Sequence, residues 1–116
     1  MTTPVDFPEK GFYYHNKHDV NGKVNNYAYQ VLGVSRHTED DCRPQDKYMV
    51  TYLPLYESAT SFREGKLFDG RPLEMFVGTV EKEGKSVQRF LKITDIDIIE
   101  QLKEIKKNLY GDEFLE

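Results

Sequence analysis

The sequence predicts a mainly β protein, a small antiparallel β-barrel of five or six short strands followed by one C-terminal α-helix. Three observations carry this. Tyr and Val recur with period two through residues 27–36 and 47–56, and residues 11–15 form a short aromatic run. Turn chemistry separates such runs at Asn21-Gly22, Asp69-Gly70 and Glu83-Gly84-Lys85. Beyond Asp95 the period changes, and Ile98, Leu102, Ile105 and Leu109 recur at helical spacing with Ile99 beside them.

Residues 1–10 read as an extended arm broken by Pro4 and Pro8, residues 11–93 as the barrel domain, and residues 94–116 as the helix and tail. Within the barrel, residues 11–15 make a short aromatic strand, and the Asn-rich stretch 16–26 makes a loop inserted before the next one. The second strand, 27–36, places Tyr27, Tyr29, Val31 and Ser35 on one face. Ala28, Gln30, Leu32, Val34 and Arg36 fall on the other. Gly33 inside it marks a bulge or bend. The acidic stretch 37–46, with Arg43-Pro44, is a connection. The third strand follows at 47–56, with Tyr48, Val50 and Tyr52 sharing a face, and its pairing ends near Pro54, which has no N–H to donate. Residues 57–65 are polar and loop-like, and 66–68 form a brief strand before the Asp69-Gly70 turn. In Arg71-Pro72-Leu73-Glu74-Met75-Phe76, Pro72 suits the first position of a single helical turn. Residues 77–81 and 86–93 then form a closing hairpin. For the helix, expected over 95–110, Thr94-Asp95-Ile96-Asp97 has the form of a capping box, late lysines suit the dipole, and Gly111 can end it in left-handed backbone.

Composition excludes several classes. A chain of 116 residues supports one modest core. Its eight Tyr and seven Phe supply buried surface that a disordered chain of this charge would lack. No apolar run is long enough to span a bilayer, and residues 1–8 lack the pattern of a signal peptide, so a cytoplasmic location is the default expectation. Cys42 is the single cysteine, which closes no intrachain disulfide. Net charge is −4 with Lys and Arg dispersed, and without a basic stripe duplex nucleic acid is not an expected partner. One nucleotide or a short single strand is compatible with that pattern.

Arg36, His37, Glu39 and Arg71 are the candidate site residues, with Glu74, Tyr52 and Tyr56 beside them. Two guanidiniums, an imidazole and a carboxylate leaving strand ends can clamp a phosphate or carboxylate. The plainer reading has Arg36 paired with Glu39 or Glu74, and Arg71 tying the helical turn to the barrel. The expected geometry puts Arg36 and Arg71 on one pocket with Tyr52 or Tyr56 as its wall. His37 has a suitable pKa for acid–base work with Glu39 orienting it, yet no nucleophile motif or glycine-rich phosphate loop accompanies it. The spacing of His15, His18 and His37 is not that of a metal-ligand set, so neither a metal nor a cofactor is expected. Tyr27, Tyr29, Tyr48, Tyr52 and Tyr56 either fill the barrel or offer rings for stacking.

Tyr29-Gln30-Val31-Leu32-Gly33-Val34-Ser35-Arg36-His37-Thr38-Glu39 and Arg71-Pro72-Leu73-Glu74-Met75-Phe76, with Tyr52, Leu55, Tyr56 and Arg89-Phe90, resemble a small bacterial and phage family. Its pattern runs Tyr-x-Val-x-Gly-x-Ala-Arg-His-Thr-Glu, then Val-Tyr-x-x-Leu-Tyr, Arg-Pro-x-x-Met-Phe and Arg-Phe. This is domain-of-unknown-function family 1653, and the resemblance covers about residues 11–92, with Ser35 where Ala is usual and Thr51 where Val is usual. It implies an SH3-like β-barrel and assigns no activity. The leading reading is a non-catalytic binding module for a small anionic or nucleotide-like ligand or a protein partner. The alternatives are a small enzyme on a phosphorylated or nucleotide substrate with His37 as acid/base, and a structural accessory subunit. The last would dock through the Ile98/Leu102/Ile105/Leu109 face, on which a homodimer could also form.

Overall fold

The computed structural model describes residues 7–39, 41–44, 47–56 and 68–110. In chain order the elements are β1 (Gly11–His15), β2 (Ala28–Arg36), β3 (Tyr48–Pro54), β4 (Asp69–Pro72), α1 (Leu73–Val77), β5 (Thr79–Lys82), β6 (Lys85–Gln88), β7 (Phe90–Lys92) and α2 (Ile96–Tyr110). The fold is mainly β. Among the described residues the strands form two antiparallel sheets, one ordered β4-β3-β2-β1-β7 and the other a separate β5-β6 hairpin. Among the described residues no ladder closes them into a single barrel. The hairpin has little to bury: within β5 and β6 only Val80 and Val87 are half-buried, and the other six residues are exposed. Glu83 and Gly84 at its tip both take positive φ, 53° and 78°, the turn whose twist matches a two-residue hairpin.

Three expected boundaries shift, each for a local reason. The single closing strand expected over 86–93 breaks at Arg89. There the N–H donates to the Gly78 carbonyl (3.0 Å) and the carbonyl accepts from Asn16 N–H (2.8 Å), handing the chain from the hairpin to the large sheet. Asp69-Gly70 is not a turn but the start of β4, paired with Tyr52 and Thr51. Phe68 precedes the strand, and residues 57–67, with the loop expected there, lie outside the described residues. Pro72 ends this edge strand, where its missing N–H breaks no ladder, and stands as N-cap of α1 rather than as its first helical residue.

The bulge expected at Gly33 is present as a register shift between Val31 and Gly33, with Gly33 at φ 157°. Nothing lies within 4 Å of a Cβ placed there, so backbone conformation rather than space favours glycine. The bulge corrects the assignment of faces. Unbroken alternation puts Val34 opposite Val31, but the extra residue flips the strand beyond it, and Val34 pairs with Val50 on the face of Tyr29, Val31 and Tyr52.

Both faces of the large sheet are covered. One packs Tyr13, Tyr29, Val31, Val50 and Tyr52 against Leu73 and Phe76 of α1 and Phe90 of β7. The other packs Phe12, Ala28, Leu55 and Ile93 against α2 through Leu102, which is fully buried, with Ile98, Ile99 and Ile105 alongside. The apolar stripe of the helix thus lies on its own sheet. Its cap is Asp95, whose carboxylate accepts the N–H groups of Asp97 (2.9 Å) and Ile98 (3.3 Å), one residue later than the expected Thr94 box. Tyr110 ties the far end down by donating to the Pro54 carbonyl at 2.7 Å, while Gly111 lies outside the described residues. No helix among the described residues is long and apolar enough to cross a membrane.

Candidate functional site

The seven residues singled out from the sequence separate into three places. Arg36 pairs across strands with Tyr48, and Arg71 with Val50, so both arginines stand on one face of the sheet. They face different surroundings. Arg36, His37 and Glu39 line a polar cleft of about 370 Å³ with Thr38, Cys42, Pro44 and Lys47. In it His37 Nδ1 accepts the backbone N–H of Glu39 at 3.1 Å, so Glu39 meets the imidazole through its amide and not its carboxylate. Arg71 belongs to a second place with Tyr52 and Tyr56. Its Nε donates to the Tyr52 hydroxyl at 3.3 Å, and its guanidinium lies 5.4 Å from the centre of the Phe90 ring. Glu74 stands apart, exposed on α1, and among the described residues neither arginine forms an ion pair with it.

The second place is the richer one. Phe90 is buried at its centre, stacked on Phe76 (4.1 Å, 8°) and within 6 Å of Tyr29 and Tyr52. Cross-strand pairing sets His15, the last residue of β1, opposite Phe90, and their rings meet edge-on at 5.0 Å. His15 Nδ1 accepts the backbone N–H of Lys17 (3.1 Å), so in the neutral ring Nε2 carries the proton. Burial lowers the His15 pKa from 6.5 to about 4, and Arg71, Lys17, Arg89 and Lys82 push it the same way. At neutral pH this is an uncharged imidazole whose protonation all four cations disfavour. Two of them are anchored by main-chain carbonyls: Lys82 Nζ on Asn16, and Arg89 Nε on Met75 at 3.0 Å.

This convergence is not visible in the sequence, where positions 15, 17, 71, 82 and 89 share no spacing. The one local signal was the Arg89-Phe90 pair. Its partners arrive through long-range pairing of β1 with β7 and through the reach of the β5-β6 hairpin.

The aromatic wall continues from His15 to Tyr27 (5.9 Å), Tyr56 (5.6 Å from Tyr27) and Tyr29. The Tyr29 and Tyr56 hydroxyls share a 2.5 Å hydrogen bond. Burial first, and then that bond, hold the Tyr29 phenol far above its usual pKa, so it stays protonated. Asp69, on the Arg71 face of β4 and opposite Tyr52, is the acid whose charge reaches Tyr29 and Tyr56. Tyr27 has φ 52°, left-handed backbone that costs a non-glycine residue about 1–3 kcal/mol. It is held there by its own carbonyl, which accepts the N–H of His15 at 3.0 Å. Beside it Lys23, Asn25, Asn26, Tyr27, Tyr56 and Leu109 line a cavity of about 430 Å³. A third cavity, about 610 Å³ and mostly apolar, lies between the 16–26 loop, β7 and the start of α2.

Among the described residues no group of three His, Cys, Asp or Glu side chains could hold a metal ion. What the fold and this place define is a mainly β domain with a basic, aromatic-walled face. The chain belongs to the family described as protein of unknown function (DUF1653), whose model matches residues 11–92. No curated protein and no solved structure matches it.

Proposed function

We propose that this domain is a non-catalytic binding module that takes a small anionic ligand on the face around His15 and Arg71. The observation that supports it is that the Arg71 guanidinium and the His15 ring both stand against Phe90, at 5.4 and 5.0 Å, with Lys82 Nζ bonded to the carbonyl of the adjacent Asn16. Like charges brought together destabilise a fold, and a bound anion would relieve that cost. Arg71 offers a planar fork for a phosphate or carboxylate, and His15 presents Nε2–H as a further donor. We read the bulged, two-sided sheet with its hairpin as an opened SH3-like barrel, a frame that displays such a site without itself determining what binds.

The test is thermal denaturation with inorganic phosphate and pyrophosphate against chloride at matched ionic strength. An anion at about a hundred times its dissociation constant should stabilise the fold by about 2.7 kcal/mol. Lys82→Gln, at an exposed position, and Arg71→Gln should each weaken that stabilisation. If no anion beyond chloride raises Tm, or both variants respond as the parent does, the reading fails.

A further inference from the structure

Two features beside the cations are not explained by anion binding alone. Tyr27 keeps a large ring on left-handed backbone, a conformation in which glycine or asparagine is the common choice, and it remains 37% exposed. The ring bridges two spaces. On one side it approaches the His15 ring. On the other it lines, with Tyr56 and Leu109, the cavity of about 430 Å³, a volume within the range of small-molecule pockets. Asn25, whose Nδ2 donates to the Leu55 carbonyl at 2.8 Å, and Lys23 are polar residues in its lining.

We propose that the ligand is a mononucleotide, its base stacked on Tyr27 in this cavity and its phosphate among Arg71, Arg89, Lys82 and Lys17 beside His15. The inference rests on the anion-binding reading and names the ligand class for it. The reasoning is one of adjacency and chemistry. The Tyr27 and His15 rings are neighbours at 5.9 Å, and the His15 ring and the Arg71 guanidinium both stand against Phe90, at 5.0 and 5.4 Å, so the aromatic wall runs on from the cavity toward the cations. A ring with donors and acceptors on its edge uses both the tyrosine faces and the Asn25 and Lys23 groups, whereas a sugar phosphate has no aromatic face to stack and a bare phosphate reaches neither. Stacking on an aromatic side chain tolerates every base, so discrimination among bases would come from the Asn25 edge alone and should be slight.

The experiment is calorimetric titration of the full chain with inorganic phosphate, ribose 5-phosphate, AMP and UMP. Both nucleotides should bind at least about tenfold more tightly than ribose 5-phosphate, the lower range for stacking one base. Tyr27→Gly, which removes the ring and suits the backbone, should abolish that advantage and leave ribose 5-phosphate binding unchanged, while Tyr27→Phe keeps the advantage. Saturation transfer in the parent protein supplies a measurement independent of any variant, and it should reach the base protons of AMP more strongly than its ribose protons. Equal affinity for AMP and ribose 5-phosphate overturns the inference, as does equal weakening of both by Tyr27→Gly or a reversed saturation order. If phosphate and ribose 5-phosphate also fail to bind, the anion site itself is lost. If they bind and the base adds nothing, only the nucleotide assignment is lost.

Discussion

Acidification should weaken this protein through His15 at pH values where most histidines have little effect. In the fold its pKa is lowered from 6.5 to about 4, by burial first and then by Arg71, Lys17, Arg89 and Lys82. The unfolded chain therefore binds a proton near pH 6.5 that the native state refuses until near pH 4. Stability from this group is fully present above pH 6.5 and is lost progressively as pH falls toward 4. Taken at face value the gap corresponds to about 3 kcal/mol, and because the imidazole is partly exposed, solvent screening reduces that to about 1–2 kcal/mol. Carboxylates titrate in the lower part of the same window, so the informative quantity is a difference between proteins. Urea midpoints at pH 7.0, 5.5 and 4.5 should fall more for the parent than for His15→Asn, whose side-chain carbonyl can still accept the Lys17 N–H. A direct NMR titration of the His15 ring should give a midpoint well below that of an unstructured histidine. A midpoint at 6 or above, or parallel midpoint curves for the two proteins, refutes the reasoning.

Two further outcomes follow from packing and turn geometry. Leu102→Ala empties the centre of the contact between α2 and the sheet, where Leu102 is fully buried among Phe12, Ala28, Leu55 and Ile93, and should cost about 2–5 kcal/mol in denaturant unfolding. Leu91→Ala, at a position 57% exposed, should stay within about 0.5 kcal/mol, and equal losses at the two positions would mean α2 is not docked as described. At the hairpin tip Glu83 occupies left-handed backbone before Gly84, so Glu83→Asn should stabilise by about 0.5–2 kcal/mol. A lowered Tm there would show that the turn adopts another geometry.

The parts of the fold that were legible in the sequence are those whose cause is local. A short aromatic run placed β1, period-two Tyr and Val placed β2 and β3, the interior glycine placed the bulge, and the period change placed α2. What was not legible depended on partners distant in the chain. A single extra residue at the bulge reversed which face Val34 joins, because register acts on every later side chain together. The end of β6 and the start of β7 are set by Arg89 bonding to Gly78 on one side and Asn16 on the other, neither of which announces itself near position 89. The candidate site followed the same division. Arg71, Tyr52 and Tyr56 were picked out by motif and do share one region, and Arg36, His37 and Glu39 share another, but the link between the two groups was an expectation of strand-end proximity alone. His15, Lys17 and Lys82 could be added only by the β1–β7 pairing and the hairpin.

The two faces of the large sheet carry different loads. On the α2 face the buried side chains are mostly aliphatic, and the helix is capped at Asp95 and tethered at Tyr110. On the other face the packing is aromatic, and its rim holds two locally unfavourable features: a half-buried imidazole whose protonation four cations disfavour, and a tyrosine on left-handed backbone. Features of that kind cost free energy and persist only where the surroundings over-determine them. Here main-chain bonds do so, since Tyr27 is held through the His15 N–H, Lys82 by the Asn16 carbonyl and Arg89 by the Met75 carbonyl. In the proposed anion site, these main-chain bonds would already meet part of the ordering cost.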